Sequence, residues 1–127
     1  MADVVLDASA ILARVLDEPG REIVDNVIDG AWVSAANLAE VAQRLVDLGA
    51  ADEGVTDTVR DLTCQVVALD EGLALHVGLL RRATKAKGLS LGDRACLALG
   101  YRLGLPVYTA DRAWAELDLG VEVVLIR

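Results

Sequence analysis

The sequence predicts an α/β fold: a five-stranded parallel sheet flanked by helices on both faces, built as one domain over residues 1–127. Three observations predict it. Short apolar runs alternate along the chain with segments of helical periodicity, the pattern of parallel strands joined by helical crossovers. Apolar residues make up 54% of the 127 but aromatics only 3%, with no phenylalanine, so the core is Val, Leu, Ile and Ala, the usual filling of a covered parallel sheet. No repeat, low-complexity tract or Pro/Gly/Ser-rich linker divides the chain, and its length suits one domain.

The elements follow in order. Val4-Val5-Leu6 is a short β-branched run ending at Asp7 and reads as a buried strand. Ala8 to Leu16 reads as a helix, stopped by Glu18-Pro19-Gly20. Ile23, Val24, Val27 and Ile28 recur at helical spacing up to Gly30, and Ala31-Trp32-Val33 is the second strand. Leu38, Val41, Ala42, Leu45 and Leu48 mark a helix from about Ala35 to Leu48, ended by Gly49. Asp52 to Thr63 is amphipathic, with Val55, Val59 and Leu62 on one face. Val66-Val67-Ala68-Leu69 is the third strand, and Leu73 to Ala86 a helix ending at Gly88. Ser90 caps a helix running through Leu103 to Gly104. Pro106-Val107-Tyr108-Thr109 is the fourth strand, Ala113 to Leu117 a short helix, and Val121 to Ile126 the fifth strand.

Composition narrows the function. Cys64 and Cys96 stand far apart in no C-x-x-C spacing, which argues against a disulfide framework or zinc site and for a reducing compartment. The opening MADVVLDASA has no basic segment of the signal-peptide kind, and no apolar stretch approaches the roughly 18–20 residues of a membrane span. A soluble cytoplasmic protein is expected. A net charge of −8 argues against non-specific binding to nucleic acid through bulk positive charge, but is compatible with a nuclease whose acidic site is neutralised by divalent cations, and leaves room for a basic partner. His76 is the one histidine, inside an apolar helix, and suits packing better than catalysis. The glycine signatures of P-loop and dinucleotide-binding proteins are missing.

Most of the twenty acids belong to solvated helix faces. Four sit differently: Asp7 directly after the first strand, Glu40 early in a helix after the second, Asp93 at the start of a helix, and Asp111 just past the fourth strand. In an open α/β sheet, ligands bind outside the carboxyl ends of the strands. Each acid also has a plain reading as a helix cap: Asp7 and Asp111 as N-caps, Asn37 with Glu40 and Ser90 with Asp93 as capping boxes. Their conjunction matters more. Two bare carboxylates ~4 Å apart repel by ~4 kcal/mol at an effective dielectric near 20. A hard divalent cation such as Mg²⁺ is the simplest compensation, and such an ion hydrolyses phosphodiesters without histidine.

The segments that carry these acids are V-V-L-D-A-S-A at 4–10, S-A-A-N-L-A-E-V at 34–41, L-S-L-G-D-R-A-C-L-A-L-G at 89–100 and V-Y-T-A-D-R-A-W at 107–114. In order and spacing they resemble PIN-domain nucleases, in particular VapC-type toxins of bacterial toxin–antitoxin pairs, over essentially the whole chain. The resemblance implies a PIN-like three-layer sandwich and an endoribonuclease dependent on one or two Mg²⁺ or Mn²⁺ ions. It implies that Asp7, Glu40, Asp93 and Asp111 are the acidic quartet. Asp7 and Asp93 would be the most direct metal ligands, Glu40 would complete the shell or orient water, and Asp111 would hold the metal or a coordinated water. Ser9 and Thr109 match small hydroxyl positions beside the site, although Ser9 equally fits a helix start. The resemblance also implies homodimerisation and inhibition by a cognate antitoxin through a peptide entering the acidic groove, in an assembly of both proteins.

Arg81, Arg82, Lys85, Lys87 and Arg94 concentrate five of the twelve basic residues within fourteen positions. They are the candidate contacts to RNA phosphates, or else solvated complements to a helix C-terminus. Trp32 and Trp114 suit the core or an interface better than base stacking, and Asp118 a surface. Two other functions compete. A phosphatase or phosphoacceptor domain also places an aspartate after strand one. The phosphatase expects a second Asp where Ser9 stands; the phosphoacceptor would use Asp70 but lacks the paired acids. A catalytically silent PIN-like binding module is the third reading.

Overall fold

In a computed structural model of the protein, which describes residues 3–127, the strands are β1 (Val5–Leu6), β2 (Trp32–Ser34), β3 (Gln65–Val67), β4 (Val107–Thr109) and β5 (Val123–Leu125). All pair in parallel, in the order β3-β2-β1-β4-β5. The helices are α1 (Ala8–Val15), α2 (Arg21–Asp25), α3 (Ala35–Asp47), α4 (Asp52–Asp61), α5 (Glu71–Leu79), α6 (Arg81–Thr84) and α7 (Leu91–Leu103), with 3₁₀ turns at Lys85–Lys87 and Arg112–Glu116. The sheet and its order of strands and helices match the α/β expectation.

Side chains alternate across a strand, and β1 shows how this makes two cores. Val4 and Leu6 enter a core with Ile11 and Ala13 of α1, Val24 of α2 and Val41 and Leu45 of α3. Val5 enters the opposite core with Leu73 and Val77 of α5, the Ala95–Leu99 run of α7, Val107 and Trp114. Both residues of β1 are fully buried, which is why their run reads as continuously apolar rather than alternating.

The chain order explains where a ligand goes. From β1 the chain moves to β2 and β3 on one side, then crosses back over to β4 and β5 on the other. The direction of winding reverses between β1 and β4, which hydrogen-bond through Val5 N–H to Pro106 O (2.9 Å) and Asp7 N–H to Tyr108 O (3.1 Å). That reversal is the topological switch point of an open parallel sheet, where a crevice forms at the carboxyl ends.

Several boundaries differ from the sequence reading. The expected Leu73–Ala86 helix is α5, α6 and a 3₁₀ turn, and it breaks at Leu80. There one carbonyl collects the N–H groups of Ala83 and Thr84 and the buried Thr84 hydroxyl, so the α-helical ladder does not continue evenly. The third strand begins at Gln65 rather than Val66. Gln65 N–H donates to Ala31 O (2.7 Å) and its side-chain amide to Gly30 O (2.8 Å), which pins the register. The second helix stops at Asp25 and reaches Gly30 only through turns, and the helix expected at Ala113–Leu117 is 3₁₀. Among the described residues no helix is long and apolar enough to cross a membrane, and Cys64 and Cys96 are both free thiols.

Candidate active site

Asp7 stands where β1 ends and α1 begins. Its backbone is extended and its carboxylate caps α1, with Oδ1 accepting from Ala10 N–H (2.8 Å) and from the Ser9 hydroxyl (2.7 Å). Oδ2 accepts from the Thr109 hydroxyl (2.6 Å), which reaches across from the end of β4. The capping and the site readings of Asp7 therefore both hold for one side chain. Ser9 Oγ in turn accepts from Ala110 N–H (2.9 Å), and Thr109 Oγ1 from Asp111 N–H (3.0 Å). Both hydroxyl protons are committed to Asp7, so the 3.4 Å approach of Ser9 Oγ to Thr109 Oγ1 is a contact rather than a bond. Ser9 and Thr109 lock the two strand-end loops around one carboxylate.

Asp93 lies in the first turn of α7. Its Oδ2 accepts from Ser90 N–H (2.9 Å) while Ser90 Oγ accepts from Asp93 N–H (3.1 Å), the expected capping box. Its Oδ1 has no donor among the described residues. Glu40 is placed differently from the sequence reading. Asn37 and Glu40 do not form a capping box, because Ser34 caps α3 by accepting from Ala36 N–H (3.2 Å). Ser34 ends β2 and is already extended, so the helix starts earlier and Glu40 falls in its second turn. There Oε1 accepts from the Asn37 amide (3.0 Å), which also donates to Gly92 O (3.0 Å), next in the chain to Asp93.

Three of the four acids share one electrostatic neighbourhood. Burial pushes Asp7 up to about 6, against the lowering effect of its three hydrogen bonds, and the Asp93 charge adds to the rise. Burial also raises Glu40, Asn37 opposing it and Asp93 adding to it. Cys96, buried in α7 one turn beyond Asp93, is held well above the ordinary thiol range, chiefly by burial and then by Asp7, Asp93 and Glu40 together. Asp111 is the exception. Its peptide N–H joins the ring through Thr109, but its exposed carboxylate caps the 3₁₀ turn by accepting from Ala113 N–H (3.0 Å), and it is not among the charges that raise Asp7, Glu40 or Cys96.

No Lys or Arg forms an ion pair with any of the four acids among the described residues; the pairs lie elsewhere, such as Arg14 with Asp25 and Arg102 with Asp70. Nor do three His, Cys, Asp or Glu side chains among the described residues close on a single point as a ready-made ligand cage. This donor set fits Mg²⁺ or Mn²⁺. Such ions take oxygen ligands, need only one or two protein carboxylates and keep several waters. Three carboxylates without a basic partner among the described residues, whose charges all reach a thiol held well above its ordinary range, suit a hard cation rather than a soft one.

The remaining predicted positions divide. Arg81, Arg82 and Lys85 are exposed. Lys87 pairs with Glu116, and Arg94 spends its guanidinium on the carbonyls of Val77 (2.9 Å) and Ser90 (3.3 Å), tying α5 to the start of α7. Trp114 is core, and His76 meets Tyr101 edge to face at 5.3 Å. Asp70, the phosphoacceptor alternative, caps α5 and forms a two-pronged pair with Arg102 (2.8 and 3.0 Å), so both its oxygens are engaged.

Two residues went unnoticed in the sequence. A Cβ on Gly92 would come 1.6 Å from Glu40 Oε1, so that carboxylate occupies the space a side chain would fill. A glycine in the first turn of a helix, beside a candidate ligand, was the available signal. Arg44, one turn after Glu40, lines with it an open cleft of about 240 Å³, together with Ala8, Leu12, Gln43 and Asp47. Asp7 and Asp93 are not part of that cleft.

No curated protein sequence matches the chain. Solved structures do. A VapBC complex bound to DNA from Salmonella typhimurium superposes with a TM-score of 0.77 at 20% identity, covering 100% of both chains. A toxin–antitoxin complex from Klebsiella pneumoniae gives 0.75 at 19%, covering 98% of each. A sarcin–ricin-loop-cleaving VapC toxin from Mycobacterium tuberculosis gives 0.72 at 14%, covering 94% of this chain and 98% of that one. At such identities the likeness is one of fold. The family model described as PIN domain matches residues 4–119, from β1 through the turn after β4, and so spans both sides of the switch point. On that match the chain belongs to the PIN-domain family.

Proposed function

We propose that the protein is a divalent-metal-dependent endoribonuclease, the toxin of a type II toxin–antitoxin pair, acting in the cytoplasm as a single-domain homodimer restrained by a cognate antitoxin. The observation that carries this reading is the buried Asp7 carboxylate at the β1–β4 switch point, sharing its neighbourhood with Glu40 and Asp93 and with no cationic side chain paired to it among the described residues. The family supports a nuclease, and the toxin and antitoxin roles rest on the likeness to VapBC complexes.

Asp7 and Asp93 would hold one or two Mg²⁺ or Mn²⁺ ions, Glu40 would complete the shell or orient water, and Asp111, whose Oδ1 caps the 3₁₀ turn, would hold a coordinated water through its other oxygen. A bound ion of this kind supplies a water of lowered pKa and positive charge opposite a scissile phosphate. The chain does the rest. Ser9, Thr109 and Ala10 fix both oxygens of Asp7, leaving about one of its roughly four lone-pair sites for a ligand. Glu40 Oε2, with Oε1 held by Asn37, would orient the attacking water by accepting a hydrogen bond from it. Arg44 on the adjoining cleft, and Arg81, Arg82 and Lys85 on the exposed surface, provide positive charge for RNA phosphates.

In the presence of Mg²⁺ or Mn²⁺ the purified protein should cut a susceptible RNA. Chelation by EDTA should stop it, and Asp7→Asn or Asp93→Asn should reduce cleavage at least a hundredfold. Undiminished cleavage by either variant overturns the assignment. Tight binding of a partner with no turnover on varied RNAs would favour the silent binding module instead.

A further inference from the structure

Asn37 lies in the first turn of α3 and is 1% exposed. An aliphatic side chain is the ordinary occupant of such a position, and asparagine is both a poor helix former and costly to bury. Its amide must therefore supply something. Both of its N–H groups are used, one on Glu40 Oε1 and one on Gly92 O, at 3.0 Å each. Reversing the amide would aim Oδ1 at two acceptors, so its orientation is fixed. Oδ1 itself is buried without a partner among the described residues, so the group does not even satisfy its own polarity.

Glu40 has long, free torsions, and Asp93 is a like charge in its neighbourhood. Two things hold it in: the Asn37 donor, and the gap at Gly92, where a Cβ would overlap Oε1. We propose that Asn37 is a positioning residue for Glu40, fixing its carboxylate in the Gly92 gap beside the helix turn that carries Asp93. The inference rests on the nuclease reading and adds that Asn37 acts through Glu40 rather than on metal or RNA directly. Gly92 forms the other half of the device.

The test is a double-mutant cycle on Mn²⁺ affinity of the purified full chain, followed by the EPR signal of free Mn²⁺, with RNA cleavage measured alongside. Asn37→Ala should weaken Mn²⁺ binding about tenfold, the usual scale for a partner of a metal ligand, and lower kcat while leaving KM for RNA in place. In a Glu40→Ala background, which removes the acceptor, the same substitution should change the affinity less than about twofold. Equal losses in both backgrounds, or no loss in either, overturn the proposal, because a role in folding alone does not depend on Glu40.

Gly92→Ala keeps the test decisive if Asn37→Ala fails to fold. Alanine suits a helix, and the atom it displaces is the flexible end of Glu40. Its Mn²⁺ affinity should fall as far as that of Asn37→Ala, and an unaltered affinity overturns the proposal. An unaltered chain that binds Mn²⁺ no better than Asp7→Asn sinks the nuclease reading itself, and this inference with it.

Discussion

A buried carboxylate with three donors and no cation is costly to keep ionised. Asp7 titrates at about 6 in the fold against 3.8 when exposed, chiefly because it is buried. The folded state therefore holds more protons than the unfolded chain between those values. Stability of the metal-free protein falls as pH rises through that window, by about 3 kcal/mol in all, and stays low above it. Urea titrations in EDTA from pH 4 to 7 should show this decline, and Asp7→Asn should flatten it and raise stability at pH 7. A saturating divalent cation should flatten it too, by favouring the ionised form. Thr109→Val should have the opposite effect on the fold. It removes a donor to Asp7 and an acceptor for Asp111 N–H at once, and should lower stability by about 1–3 kcal/mol in the same assay. At this scale the sequence is legible where an acid follows a strand, as at Asp7. It is opaque at Asn37, whose partner Gly92 lies fifty-five residues away and has no side chain to announce the contact.

Helices here start and stop as local chemistry directs, and their packing carries the less visible information. The Ser90–Asp93 capping box was readable from spacing. Ser90→Ala should cost about 1 kcal/mol, read as a lower midpoint in thermal unfolding, because it leaves an N–H at the helix start unpaired. The Asn37–Glu40 spacing offered the same pattern and misled, because Ser34, one turn earlier, already had the extended backbone and the hydroxyl that a cap needs. Spacing alone cannot choose between two competing caps. Gly100 carries a packing requirement that periodicity does not reveal. A Cβ there would come 2.5 Å from Val107 Cγ1 and 3.1 Å from Val121 Cγ1, so α7 lies on β4 only because the side chain is absent. Gly100→Ala should destabilise the protein by about 1–3 kcal/mol in urea unfolding, although alanine is the better helix former. A gain in stability would contradict this account of the α7–β4 contact.

Across the whole molecule, the alternation of apolar runs foretold the sheet, and the sheet's order places the site. β1 is central, the winding reverses beside it, and the ends of β1 and β4 meet at Asp7 and Thr109. Neither the reversal nor the meeting is written in any single segment, which is why Asp111 looked equivalent to the other acids in sequence. In the fold only its peptide joins the ring, and its carboxylate caps a turn. The net charge of −8 sets the terms for substrate. RNA and protein repel at long range, so retention of RNA on a filter should be weak in EDTA and should rise with Mn²⁺, an increase that Asp7→Asn abolishes.

The claim beneath all of this is that Asp7 and Asp93, with Glu40 beside them, hold a divalent ion. Anomalous diffraction at the manganese edge, from crystals grown with saturating Mn²⁺, reads it directly. The account predicts a peak roughly 2 Å from a carboxylate oxygen of Asp7 and from one of Asp93. Full Mn²⁺ occupancy elsewhere on the protein, with no peak between these two residues, would contradict it.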